Sequence, residues 1–411
     1  MLTTGAAVSA APEAVLSLGG VISYDFKRQP AVAAIIPVSA IGAIRRHPLV
    51  DYVEPSSRGV WHSQTTPWNV SMVGAASNWT LSTGSGVKLL ILDSGTPIGG
   101  HRDLSFAVAW RCISGPVSDT TSYGHGTHVA GIAGALDNSV DVIGVAHGVS
   151  LWMANVAVGG GPDAAEVACS IDVARANGVF VVNMSFGLTP TTAVTDAING
   201  GYNSDGILFV ASAGDTAVSS SVSYPASLSN VIAVTAVDNY YSHASFAPIG
   251  SENELAAPGV SILSTSLQYA TVCSGYGEYV GYCSGTSMAA SHVSAAAALV
   301  KARYPGMSNV NVRNRLAATA FDLGSSGHDN TFGYGFLDIS KALRMQVTIL
   351  GPSVVQEGGE ASWWLNISGG QSPYSYQWYV NDTPAGTSSS LTITAGSSNF
   401  TVRLWSLTTL A

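Results

Sequence analysis

The sequence predicts an α/β fold with a parallel central sheet, preceded by a small α+β unit and followed by a small all-β one. Three observations carry this reading. Between residues 63 and 345, the short apolar runs VKLLILD, LWMANVAV, VFVVNMSF, ILFVASAG and VIAVTAV alternate with helix-like stretches. Each run is apolar throughout instead of at every second residue, which marks strands covered on both faces. Charged residues make up only 10% of the 411-residue chain and Gly numbers 45, a composition suited to a large core and many tight turns.

The flanking units follow from different patterns. In residues 1–62, Val21–Phe26 (VISYDF) alternates as a strand, Ser39–Pro48 (SAIGAIRRHP) reads as a short helix stopped by proline, and LVDYVEP is a second strand. In residues 346–411, ASWWLNI, YSYQWYV, SLTITA and FTVRLW are short alternating strands between Gly, Ser and Pro turns. Trp378 stands in the middle of one of them. That placement resembles the core tryptophan of an immunoglobulin-like sandwich, in a segment shorter than the usual roughly 100 residues.

Charge and hydropathy narrow the function classes. Sixteen Lys+Arg against twenty-five Asp+Glu give a net charge of −9, and the basic residues are scattered. A phosphate backbone would be repelled, so nucleic acid is not an expected partner. No apolar run approaches the roughly 18 residues of a membrane span. The opening MLTTGAAVSAAPEAV lacks the basic start and apolar centre of a signal peptide. Either export does not use that route, or the leader lies outside this sequence. The four cysteines, Cys112, Cys169, Cys273 and Cys283, lack the CxxC spacing of a zinc site. They form either two disulfides in an oxidising compartment or four buried thiols. Four cysteines allow three pairings. The favoured one joins Cys273 to Cys283, closing a hairpin, and Cys112 to Cys169.

Three motifs carry chemistry. VKLLILD ends on Asp93, and Ser94-Gly95 follows at once. Catalytic groups of open α/β sheets collect at such carboxyl ends. In GHGTHVAGIAGAL, Gly124 and Gly126 flank His125 and allow close approach. His125 and His128 have no glutamate between them, which disfavours a zinc peptidase. In SGTSMAASHVSAAAALVKARYPG, Ser287 opens a long Ala-rich helix. A serine there sits among free backbone N–H groups and the positive end of the helix dipole. Taken singly, Asp93 is a turn residue, His125 a satisfied core histidine and Ser287 an N-cap. GTSMA lacks the closing glycine of the GxSxG elbow, and an α/β-hydrolase would place its serine first, so a lipase or esterase is disfavoured.

Taken together, in the order Asp, His, Ser, they match a subtilisin-type triad. From about Leu18 to Leu343 the chain resembles the subtilisin-like serine proteases. The resemblance is carried by ILDSG, GHGTHVAG, VVNMSFG, ASAGD, VSYPAS, VIAVTAVD, APGVSI and SGTSMA. It implies a serine endopeptidase acting on polypeptides, in which Asp93 orients the histidine, His125 is general base then acid, and Ser287 attacks the scissile carbonyl. It further implies that Gly159, Gly160 and Gly161 on one side, and Ser185, Phe186 and Gly187 on the other, pair with an extended substrate. The pocket between them takes an apolar group, and Ser223 stands at its depth where the family often has glycine.

The resemblance extends to other parts. Residues 1–62 are similar to the family's inhibitor-type propeptide, an intramolecular partner of residues 63–345, with its first strand expected to be missing. Self-processing is expected near His62–Ser63, with Trp61–His62 as a competing bond. A structural Ca²⁺ is implied, held by Gln64, Asp103 and Asn138 side chains and by the Leu136, Val140 and Val142 carbonyls. Tyr224-Pro225 matches a cis proline. The implied protein is a secreted monomer.

Three positions depart from the family pattern. Asp141 replaces a glycine in the cation loop, where positive φ would strain it. Ser291 replaces a proline soon after the nucleophile. Asp215, in FVASAGDTAV, stands where an asparagine would donate to the oxyanion alongside the Ser287 N–H. An ionised carboxylate is acceptor-only there. Its small apolar neighbours in sequence would favour protonation, which restores a donor and predicts a preference for mild acid. Asp215 also supports the alternative reading, a catalytically impaired homologue that binds polypeptides or surfaces.

Overall fold

The computed structural model describes residues 2–409 apart from 4–9, 26–30, 49, 51, 55–63, 98, 114, 120–123, 268–272, 276–278, 345 and 369–373. The expected processing sites near residues 61–63 lie outside the described residues. The chain divides into two compact units, residues 1–62 and 63–411.

The first unit is a four-stranded antiparallel sheet with two helices. In chain order its elements are β1 (Leu2–Thr3), α1 (Ala10–Ser17), β2 (Val21–Asp25), β3 (Ala31–Ile35), α2 (Val38–Arg45) and β4 (Tyr52–Val53). The sheet order is β2-β3-β1-β4. Val15, Val32, Ala40, Ile44 and Val50 make its core. The first strand, expected to be missing, is present as two residues paired with both β3 and β4.

The second unit begins with α3 (Trp68–Met72) and is organised by a seven-stranded sheet. Its strands are β5 (Lys88–Asp93), β6 (Phe106–Trp110), β7 (Ser150–Asn155), β10 (Val181–Met184), β11 (Leu208–Ser212), β12 (Val231–Val237) and β13 (Asn253–Pro258). Between β7 and β10 lie the two-residue strands β8 (Ala157–Val158) and β9 (Gly161–Pro162) of a separate hairpin. Every neighbour pair in the large sheet is parallel. The five apolar runs became its five inner strands. The edge strands β6 and β13 did not stand out in the sequence, because β6 has an exposed centre and β13 begins with the polar pair Asn253-Glu254.

Helices cover both faces, as continuous apolar strands require. α5 (Ala164–Ala176) and α6 (Thr192–Asn203) bury Val167, Ile171, Val194 and Ile198 on one side. On the other lie α4 (His125–Gly134) and α7 (Thr286–Arg303). α7 is buried without interruption from Thr286 to Val300. Alanines and serines on this helix let it sit deep in the molecule, because larger side chains would not fit around its whole circumference.

The strand order β13-β12-β11-β10-β5-β7-β6 places β5 at the point where the chain reverses its direction of sheet growth. A crevice opens beyond the carboxyl ends of strands at such a point. Asp93 is the last residue of β5.

An antiparallel hairpin region, β14 (Ile262–Thr265), β15 (Ser274–Gly275) and β16 (Val280–Cys283), leads into α7. Both favoured disulfides are present, Cys112–Cys169 and Cys273–Cys283, with Cα separations of 6.1 and 4.7 Å. After α8 (Asn309–Thr319) and α9 (Ile339–Ala342) the chain forms two three-stranded antiparallel sheets. Trp378 is fully buried between Trp363, Ala361 and Leu391, and its indole N–H donates to the Ser388 carbonyl at 2.8 Å.

Candidate active site

Three elements deliver Asp93, His125 and Ser287. Asp93 leaves the sheet at the end of β5, and the Ser94 N–H donates to its Oδ1 at 2.8 Å. His125 is the first residue of α4, entered through Gly124 at φ 69°. That left-handed conformation favours glycine. Gly126 is required for a different reason: a Cβ there would lie 3.1 Å from Asp93 Oδ1. The GHG motif therefore lets the helix start against the carboxylate. His125 Nδ1 sits 2.8 Å from Asp93 Oδ1 and 3.0 Å from Oδ2. The carboxylate thus accepts the Nδ1 proton, and Nε2 is left without it.

Ser287 is the second residue of α7. Its hydroxyl donates to the Ser185 carbonyl at 3.2 Å, and no hydrogen bond joins it to His125 among the described residues. Such nucleophile–base bonds commonly tighten only when substrate is bound. The Ser185 hydroxyl in turn donates to the Ser287 carbonyl at 3.0 Å, and Asn183, Ser185 and Ser294 form a buried network. This ties β10 to α7. Ser291, in the place of the family's proline, returns its hydroxyl to the Ser287 carbonyl at 2.8 Å.

The electrostatics favour a charged histidine. Burial of His125 opposes the imidazolium, but the Asp93 carboxylate, helped by Asp215 and Asp119, outweighs it and raises the pKa above the ordinary value of 6.5. His128, one turn on, is the opposite case. Its Nε2 meets the carbonyls of Ile262 and Gly281, and burial pushes its pKa down to about 3. It is a neutral packing residue and not a second member of a metal pair with His125.

Asp215 is not where its sequence neighbours implied. It is exposed, and its Oδ1 accepts the Thr286 N–H at 2.7 Å and the Thr286 hydroxyl at 2.9 Å. Apolar burial was the premise for a protonated carboxyl, and that premise fails because the loop after Gly214 turns into solvent. The residue instead caps the first turn of α7, whose own N-cap, Gly285, offers no side chain.

A cavity of about 190 Å³ opens between Asp93 and His125 on one side and Gly160–Pro162 and Ser185–Phe186 on the other. Gly159 and Gly160 do not lie on an extended strand. With φ of 62° and 94° they form the tight turn between β8 and β9, leaving Gly161 as the extended member. Ser223 packs against Gly187 and Gly214 and does not line this cavity.

The cation loop was tested by its donors. Asp103 Oδ2 accepts the Val142 N–H at 3.0 Å, while Oδ1 is buried with no hydrogen-bond partner. Burial raises the Asp103 pKa to about 7. The Gln64 amide converges on the same place, 2.5 Å from the Leu136 carbonyl and 3.2 Å from that of Val142. Carbonyls pointed at one another's neighbourhood beside an orphan carboxylate oxygen suit a hard cation, towards which Gln64 would turn its oxygen. Asn138 Oδ1 accepts the Val140 N–H at 3.1 Å. Asp141 has φ 46°, as expected, and Arg102 grips its carboxylate with two bonds of 2.5 and 2.7 Å.

Two residues close to the site escaped the sequence reading, Ser94 and Asp119. Asp119 Oδ2 accepts from the Ser94 hydroxyl at 2.9 Å and from the Gly124 N–H at 2.8 Å. Only the serine immediately after Asp93 hinted at them.

A histidine held by a carboxylate, on a helix packed against the buried helix that Ser287 opens, over a parallel α/β sheet, fits the serine-protease class. Residues 84–335 match the Subtilase family, peptidase S8. The chain is 36% identical over 327 residues to an alkaline protease of Alkalihalobacillus alcalophilus, covering 78% of this chain and 81% of that one. It is 40% identical over 288 residues to Subtilisin BL of Lederbergia lenta, covering 69% of this chain and 100% of the relative. For Subtilisin Savinase of the same organism the identity is 39% over 288 residues, with the same coverage. The chain belongs to the subtilase family, and it is a serine peptidase that hydrolyses peptide bonds.

Proposed function

We propose that this protein is a secreted subtilisin-type endopeptidase in which Asp93, His125 and Ser287 are the catalytic triad. The observation that carries the assignment is the 2.8 Å bond from His125 Nδ1 to Asp93, facing the helix that Ser287 opens. His125 Nε2 takes the hydroxyl proton as Ser287 attacks the scissile carbonyl, and then delivers it to the leaving amine. The Asp93 carboxylate stabilises the imidazolium formed in between. The oxyanion falls beside the Ser287 backbone N–H and Asp215, of which only the N–H donates. The substrate runs as an extended strand along Ser185–Gly187 and the Gly161 edge, and Ser223 packs behind Gly187 outside the cavity. Alkaline proteases among the relatives and the raised pKa of His125 both favour an alkaline working range.

The remaining assignments belong to the same reading. Residues 1–62 are an inhibitory propeptide, removed by self-processing between residues 60 and 66. The peptidase works as a monomer, and residues 346–411 are an immunoglobulin-like module. Gln64, Asp103, Asn138 and the carbonyls of Leu136, Val140 and Val142 hold a calcium ion, which would neutralise Asp103 and lock the loop. The alternative, a catalytically impaired homologue that binds polypeptides or surfaces, is favoured by Asp215. Casein hydrolysis with and without an active-serine inhibitor, beside the Ser287→Ala protein, separates the two. Inhibitor-sensitive turnover supports the peptidase, and activity retained by Ser287→Ala refutes the triad.

A further inference from the structure

We propose that Asp119, acting through Ser94, is a positioning residue that fixes His125 against Asp93. The proposal rests on reading Asp93, His125 and Ser287 as the triad. Its basis is a chain of hydrogen bonds that encloses the histidine on both sides in sequence. Asp119 is 1% exposed. Its Oδ2 accepts the Ser94 hydroxyl at 2.9 Å and the Gly124 N–H at 2.8 Å. Ser94 Oγ then accepts the Gly126 N–H at 3.1 Å. Gly124 and Gly126 are the residues before and after His125.

The direction of this chain is fixed by chemistry. A serine hydroxyl has one proton. Because that proton goes to Asp119, the Ser94 oxygen is left as an acceptor aimed at Gly126. Without the carboxylate, the hydroxyl could turn and the Gly126 N–H would lose an oriented partner. Both glycine N–H groups belong to the start of α4, where backbone donors lack partners within the helix. Glycine carries no side chain to cap them, so Ser94 and Asp119 supply the caps from other parts of the chain. Ser94 also donates its own N–H to Asp93 Oδ1 at 2.8 Å. One residue therefore touches the orienting carboxylate and the histidine's helix together.

Asp119 has an electrostatic effect as well. The charged groups facing His125 are Asp93 from β5, Asp215 from the loop after β11, and Asp119, with the neutral His128 on the next turn. Removing the Asp119 charge leaves burial less opposed, which lowers the pKa of His125. A purely structural residue would not move that titration.

The test uses the full chain and the variants Ser94→Ala, Asp119→Asn and Asp119→Ala, assayed on a chromogenic peptide across pH. Ser94→Ala and Asp119→Ala should lower kcat about 10-fold to 100-fold, the scale of a misplaced catalytic group. KM should stay within about twofold, because the substrate strands are untouched. Asp119→Asn should shift the acid limb of kcat/KM to lower pH. Inactivation by a sulfonyl fluoride should slow in parallel with kcat. Wild-type kcat and an unmoved acid limb in variants with native melting temperatures would overturn the proposal. If Asp119→Ala does not fold, Ser94→Ala, which deletes one hydroxyl, decides the question by the same readouts. Ser287→Ala and His125→Ala serve as controls: activity in either means that the triad reading itself has failed, independently of Asp119.

Discussion

Asp215 Oδ1 accepts both the backbone N–H of Thr286, at 2.7 Å, and its hydroxyl, at 2.9 Å. A carboxylate therefore sits at the positive end of the helix whose next residue is the proposed nucleophile. That arrangement stabilises α7, yet on the proposed mechanism it places an acceptor where the oxyanion would need a donor. The two effects have opposite signs, and one substitution separates them.

Asp215→Asn should raise kcat and slightly lower stability. The asparagine oxygen can keep the Thr286 bonds while its N–H₂ turns to the oxyanion. One such donor is worth about 10²–10³ in kcat, a magnitude established on subtilisin itself, so a gain of about tenfold or more is expected at mildly alkaline pH. Losing the charge at the helix N-terminus should cost about 0.5 kcal/mol at an exposed site. Steady-state kinetics and thermal melts check both. An unchanged or lower kcat would remove the donor argument.

Much of this was legible because the signals are short and local. The runs VKLLILD and VIAVTAV could hardly be anything but buried parallel strands, and Asp93 marked the carboxyl edge. Ser94 and Asp119 were not legible. Their roles depend on a loop returning from residue 119 to residue 94, a contact with no periodicity. The burial of Asp215 was misjudged from its apolar sequence neighbours, since Gly214, at φ 123°, turns the chain outwards. Gly159–Gly161 looked like an extended edge, but positive φ at two of the three makes a turn.

Calcium removal should lower the melting temperature. A cation that binds only the native state stabilises by about 2.7 kcal/mol at one hundred times its dissociation constant. Asp103→Ala should abolish the calcium dependence, since its Oδ1 is the buried oxygen without a partner. Arg102→Ala should sharpen it, because Arg102 holds Asp141 in its left-handed conformation without a metal. Melts with and without chelator decide, and identical curves for the parent protein would exclude the site.

Replacing Cys273 and Cys283 by serine should lower stability by about 2–4 kcal/mol. The hairpin keeps its β14–β16 pairing from Ile262↔Cys283 to Thr265↔Val280, so the fold should survive. Because Cys283 ends the strand that leads into α7, kcat should fall with it. Loss of stability with kcat intact would mean that the bridge does not help to position Ser287.

The acid limb of kcat/KM should lie above the ordinary histidine value of 6.5, because the carboxylates around His125 outweigh its burial. On the proposed mechanism only the neutral imidazole can accept the Ser287 proton, so activity should fall as pH drops through the raised pKa. The sign for stability is the reverse. A histidine whose pKa is raised by folding contributes fully below its unfolded pKa, and that contribution is lost as pH rises through the folded value. Activity should therefore appear in the same window in which the His125⁺–Asp93⁻ attraction disappears. Asp215→Asn removes one of the three carboxylates facing His125 and should move the limb downwards, whatever it does to kcat on the plateau. A pH–rate profile on a small peptide, paired with thermal melts on Ser287→Ala to prevent self-digestion, tests both directions. A limb at or below 6.5 would show that burial dominates, and the electrostatic account of this site would have to be rebuilt around desolvation.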